Sequence, residues 1–258
     1  MKISLLMLLL INCGLGFIYY SAGLSKLAPY DIGNFIGPVD LGTQLQSELI
    51  KVMMLLVAIY QFVVGFLILS IRYALIGQIM LLPISFGILI FTIVAGFELT
   101  PIINGFLLLC NILILLSERK AIGEILGRNM KFLHESYFFN AIAQKDLYLK
   151  ITSVVNLILF LACLLYPAIA IYPLMITFIL FYAQTCFFKG LSFIDKIVLL
   201  GLYLFCFHIL GGIWMINNLS KQFFLYSLAL SALLFVITFI LKFALIIFYK
   251  LRGKPNID

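Results

Sequence analysis

Residues 3–22 of this chain carry no charge, and apolar runs of similar or greater length recur as far as residue 249. About 20 consecutive apolar residues are what an α-helix needs to cross the roughly 30 Å of hydrocarbon in a bilayer. Hydrocarbon offers no partner to a bare N–H or C=O, so runs of this kind must satisfy their backbone internally as helices. Composition agrees: 65% of the 258 residues are apolar and 10% are charged, which excludes an ordinary soluble domain of this length. The sequence predicts an all-α integral membrane protein.

The runs are read as about eight transmembrane helices: residues 3–22, 52–71, 74–96, 101–117, two within 151–188, then 197–216 and 222–249. The stretch 151–188 is too long for one span, and Tyr166-Pro167 and Tyr172-Pro173 break it into a tight hairpin. The first run follows a single Lys2. It lacks a small-x-small cleavage site and continues into Gly23-Leu24-Ser25-Lys26 without a polar break, so it reads as a retained span. A long connection, residues 23–50, carries Pro29, Gly33, Gly37, Pro38 and Gly42 and is expected to fold back on the membrane face. Between residues 117 and 150, Ile122, Ile125, Leu126, Met130, Leu133 and Tyr137 recur at helical spacing. That amphipathic helix either lies in the membrane interface or packs on the protein's own helices. The predicted organisation is a four-helix membrane bundle over 1–117, a cytoplasmic connector over 118–150 and a second four-helix region over 151–258. No internal repeat relates the two halves.

Charge orients the bundle. With the N-terminus inside, thirteen of the 17 Lys and Arg residues fall in inner segments, and only Lys26, Lys51 and Lys221 fall outside. Lys242, late in the last span, is close enough to the inner end to snorkel. Both termini are therefore expected in the cytoplasm, and the protein in the inner (cytoplasmic) membrane as a multi-pass protein. The bilayer accounts for the net charge of +7, so no nucleic-acid partner is needed. The five cysteines, Cys13, Cys110, Cys163, Cys186 and Cys206, all lie in predicted spans without a C-x-x-C pair. They suggest neither a disulfide framework nor a metal site, and they read as small apolar fillers.

Few residues can carry chemistry. Lys26 ends the first span just before Pro29. An amine there either snorkels or pairs with an outer carboxylate, among Asp31, Asp40, Glu48 and Glu98, with Glu48 and Glu98 preferred. The same lysine is the one catalytic candidate, through ligand contact or proton transfer, because buried lysines change their protonation readily. Asn12, Gln61, Ser85 and Asn111 lie near the middle of spans one to four. They either bond helix to helix or line a polar slot for the head of a quinone or similar lipid. His208 with Trp214 in span seven reads as a bundle residue; His134 lies in the connector, so a bis-histidine haem in the membrane is excluded. No nucleophile–base pair, phosphate loop or metal cluster is present in the sequence.

With those residues in view, the first 120 positions resemble the DoxX-type membrane proteins. The likeness rests on Gly23-Leu24-Ser25-Lys26-Leu27, the run from Gly65 to Arg72, Leu81-Leu82-Pro83-Ile84-Ser85, Ile88-Leu89-Ile90-Phe91 and Asn111-Ile112-Leu113-Ile114-Leu115. It implies a four-helix membrane bundle for spans one to four. Characterised members include small subunits of thiosulfate:quinone oxidoreductase and the MauE proteins, linked to disulfide formation in a periplasmic dehydrogenase. The resemblance thus implies a redox-associated subunit, quinone- or thiol-linked, within a membrane complex. Two departures stand out: Gln61 where relatives often have an acidic residue, and no dithiol for MauE-like exchange. The Gly-x-x-Lys-Leu stretch is also similar to one in the membrane domain of vitamin K-dependent carboxylase, where lysine is the base. The alternatives are a non-catalytic scaffold or assembly factor for a periplasmic or membrane partner, docking through residues 23–50, and a small transporter. The transporter is disfavoured by the scarcity of intramembrane ionisable groups.

Overall fold

The computed structural model describes residues 4–27, 32–35, 48–127, 136–166, 171–188 and 190–251. Among them every regular element is a helix and no strand occurs. The order is α1 (Leu5–Leu27), α2 (Glu48–Leu69), a single 3₁₀ turn (Ile71–Tyr73), α3 (Ala74–Val94), α4 (Thr100–Ser117), α5 (Arg119–Gly127), α6 (Tyr137–Leu165), α7 (Ile171–Thr185), α8 (Phe193–Asn218) and α9 (Lys221–Leu251). Seven of these, α1 to α4, α6, α8 and α9, are long and apolar enough to cross a membrane. This is the architecture of a multi-pass membrane protein. The eight apolar helices lie where the hydropathy places them, but α7 has only 15 residues. At 1.5 Å per residue that is about 22 Å, short of a full hydrocarbon crossing. The two Tyr-Pro pairs explain it: α6 ends just before Tyr166-Pro167, and Pro173 sits in the first turn of α7.

The helix ends follow local chemistry. Gly96, at φ +73°, closes α3, a left-handed conformation that costs glycine little. Pro101 lies in the first turn of α4. At the start of α8 the Ser192 hydroxyl accepts from the Asp195 N–H while the Asp195 carboxylate accepts from the Ser192 N–H, a reciprocal capping box.

α1 is the centre of the molecule. Leu8, Leu9, Leu15 and Tyr19 pack with Val64 and Ile68 of α2, Leu81 of α3, Leu107 and Ile114 of α4, and Val198 and Leu199 of α8. Its other side places Cys13, Phe17, Tyr20 and Leu24 against Phe62, Phe160, Phe178, Phe181, Tyr203 and Leu210. A helix buried all round has no need of a polar stripe, which is why residues 5–25 show none. Both halves of the chain thus share one interior. The last helix is the opposite case: only 6% of its apolar window is buried, against 67% for α1.

Glycines let α1 and α2 meet backbone to backbone. A Cβ on Gly65 would fall 2.6 Å from Tyr20 Cα and 2.8 Å from Gly16 O, and one on Gly23 would fall 2.6 Å from Ala58 O. Small residues at a membrane helix crossing gain van der Waals contact in a solvent that supplies no hydrophobic drive between helices.

Three expectations change. The helix α6 begins at Tyr137 and runs unbroken through Lys150, so the end of the polar connector is continuous with the span. Asp146 bridges Arg72 and Lys150 there, the latter at 2.7 Å, which lets a charged stretch of α6 meet the bundle. Of the amphipathic pattern, α5 covers only residues 119–127; Met130 and Leu133 lie outside the described residues. The described part of the long connection, residues 32–35, packs into the bundle instead of lying along its face. Gly33 N–H donates to Leu210 O of α8 at 2.7 Å, and Phe35 sets its ring edgewise on Phe17 and Phe205. Lys242 has a partner within the bundle. It is paired with Asp195 across α8 and α9 at 3.0 Å, with both side chains largely buried.

Candidate functional site

The candidate polar residues of the first four helices fall into three separate contacts. The deepest is a chain of amides. Asn12 Nδ2 on α1 donates to Ile68 O at the C-terminal end of α2, 3.0 Å away. Gln78 Nε2 on α3 donates to Asn12 Oδ1 at 2.8 Å, and Asn111 Nδ2 on α4 donates to Gln78 Oε1 at 2.6 Å and to Gln78 O at 3.0 Å. All three side chains are fully buried. One hydrogen-bonded line therefore joins all four helices, as amides in a low-dielectric interior require.

Ser85, about two turns further along α3, bonds instead with the Tyr19 hydroxyl at 2.8 Å. Gln61 belongs to a third contact, where its Oε1 accepts from Lys26 Nζ at 2.8 Å. So Asn12 and Asn111 are brought together through Gln78, while Gln61 and Ser85 each pair with another residue. Of the carboxylates preferred for Lys26, Glu98 is exposed in the turn between α3 and α4, and the side chain of Glu48 lies outside the described residues. Asp31 and Asp40 lie outside them too. The partner that is described for Lys26 is a neutral amide, which orients the ammonium without neutralising it. Beside it, Ser25 Oγ is buried with no hydrogen-bond partner among the described residues.

The second half adds contacts that sequence reading did not single out. Cys13 Sγ lies 3.4 Å from the Tyr203 hydroxyl, which bonds with Thr185 Oγ1 at 2.9 Å, linking α1, α8 and α7. His208 Nδ1 lies 2.7 Å from Leu204 O of its own helix, the ordinary resting place of a helical histidine. Gln78 was the legible omission: it is an amide in a span, seven residues before Ser85 and thus on the same helix face. Asp195 was hidden because it looked like a loop charge outside span seven. All five cysteines are free thiols, four of them buried.

These groups can orient one another and hold helices in register. The one cation among them, Lys26, is half-buried beside an amide and a serine. Comparison of the chain with known protein families, with characterised proteins and with solved structures returns no match.

Proposed function

We propose that this is a polytopic membrane protein, DoxX-like in its first half, that serves as a non-catalytic scaffold or assembly factor for a membrane or periplasmic partner. The observation that carries the reading is the Asn12–Gln78–Asn111 line. A quinone slot needs Asn12, Gln61, Ser85 and Asn111 to face one space, whereas each has a protein partner in one of three distinct contacts. Polar groups spent on one another favour helix registration over ligand capture. Titration of the purified protein with a short-chain quinone analogue is expected to show no saturable binding. Saturable binding that Gln61→Leu weakens at unchanged folding would restore the quinone-linked redox subunit.

Cytoplasmic termini belong to the same proposal, in the inner membrane. Arg72, Arg119, Lys120 and Lys150 gather at one end of the helices, and Lys26 and Lys221 at the other, which fits a positive-inside arrangement. In a background without the native cysteines, an impermeant thiol reagent applied from outside should modify Asn217→Cys and spare Arg119→Cys. The reverse pattern overturns the orientation.

A further inference from the structure

The inward face of α6 presents Asp146, Thr152, Ser153 and Asn156 at helical spacing, followed by Phe160 and Cys163. Its opposite face, with Leu147, Ile151, Val154 and Ile158, is exposed and apolar, as lipid contact requires. The polar face opens at the charged end of the helix, where Arg72 and Asp146 pair and keep 20% and 40% of their side chains accessible.

About two turns deeper the polar groups have protein partners. Ser153 Oγ donates to Leu149 O at 2.7 Å and is met by Ser70 Oγ at 2.6 Å. Thr152 Oγ1 donates to Tyr148 O at 2.9 Å and accepts from Gln184 Nε2, whose Oε1 accepts from Ile71 N–H at 3.3 Å. One turn deeper again is Asn156, which is wholly buried, with neither Nδ2 nor Oδ1 bonded among the described residues. Ten residues from Asp146 put it about 15 Å in, near the middle of a roughly 30 Å hydrocarbon layer. An amide left unbonded at that depth is strongly disfavoured, so it needs a partner that the described residues do not supply.

We propose that the α2–α6–α7 junction admits water from the Arg72–Asp146 end as far as Asn156, forming a closed polar inlet. Water suits the chemistry: Asn156 offers donors and an acceptor, Ser153 an acceptor one turn away, and a buried water asks for two to four such groups. A cation does not suit it. The nearest described carboxylate on this face is Asp146, already held by Arg72 and Lys150. A lipid acyl chain does not suit it either, because it has neither donor nor acceptor for the amide. The inlet ends at Asn156 because the next turn is closed by the Phe62–Phe160 ring pair, with centroids 3.6 Å apart, and by Phe66 and Phe181 beside it.

The test is cysteine accessibility in vesicles opened to a small charged methanethiosulfonate on both sides, with the native cysteines replaced. Only the thiolate reacts, and it forms only where water reaches. Asp146→Cys and Asn156→Cys should be modified, with Asn156→Cys at least about tenfold faster than lipid-facing Leu157→Cys and buried Phe160→Cys. Modification at Asp146→Cys with Asn156→Cys as inert as Leu157→Cys overturns the inlet, and equal modification at Phe160→Cys overturns its closed end. If these variants do not fold, radiolytic hydroxyl labelling of the unsubstituted protein decides, because bound water generates the radical in place. Oxidation within residues 152–156 with Phe160 and Phe181 protected upholds the inlet, and protection of residues 152–156 overturns it.

Discussion

The ammonium of Lys26, at the end of α1, donates to the Oε1 of Gln61 on α2 across 2.8 Å. The residue marked as the chain's one catalytic candidate and a residue marked for a ligand slot are thus each other's partners. Lys26 is three residues from Gly23 and Gln61 four from Gly65, where the two backbones touch, so the amide is delivered to the amine by the close α1–α2 crossing.

Removing the amide leaves a half-buried ammonium without its acceptor. Hydrogen bonds to charged groups contribute about 1.5–3 kcal/mol. Gln61→Leu should lower stability within that range, and Lys26→Met added to it should cost less than the sum of the single changes. Thermal unfolding in mild detergent measures both; strictly additive effects would mean the two side chains do not interact. Lys221→Met, at an exposed position, serves as the neutral control.

The amide line makes a sharper case, because Gln78 is its middle. Gln78→Leu strands Asn12 Oδ1 and one donor of Asn111, each a buried group worth about 1–3 kcal/mol when unpaired. Measured coupling across membrane helices averages lower, about 0.6 kcal/mol, since the separated helices find other partners. The expected loss is therefore about 1–3 kcal/mol in total, larger than for Ser85→Ala. A Gln78→Leu protein as stable as the parent in detergent unfolding would show that the line is dispensable.

α9 hangs on a charge pair. Lys242 Nζ is 3.0 and 3.2 Å from the two Asp195 oxygens, and the same carboxylate caps α8. Breaking a buried pair from one side costs about 3–5 kcal/mol, because the survivor is left charged and unpaired. Lys242→Met should therefore destabilise strongly, and adding Asp195→Asn should recover part of the loss. Limited proteolysis and unfolding both read it; a double variant worse than Lys242→Met alone would refute the pairing.

The helix crossing predicts opposite outcomes for two identical substitutions. Gly65→Ala pushes a methyl into the Tyr20 backbone and must separate α1 from α2, so stability should fall. Gly14→Ala meets nothing within 4 Å and should gain about 0.5–1 kcal/mol of helix propensity. Equal effects in detergent unfolding would mean that the close crossing is not where the structure places it.

What the sequence determined by itself was the class of fold and the placement of its helices. That information is local: a run of apolar residues demands a helix in lipid, and α6 stops before Tyr166-Pro167 while α7 starts with Pro173 in its first turn. Asn12, Gln61, Ser85 and Asn111 were legible as groups needing partners, because their chemistry says so without neighbours. Which partner each took was decided only by tertiary structure. Gln61 turned to Lys26 and not to Asn12, Lys242 to Asp195, and residues 32–35 to Leu210 of α8. Asn156 found no partner among the described residues. These outcomes depend on how helices distant in sequence rotate and slide against one another. That rotation is set by backbone contact at Gly16, Gly23 and Gly65 and by aromatic packing around α1. In lipid an apolar face fits any neighbour, so hydropathy carries no record of which helices meet.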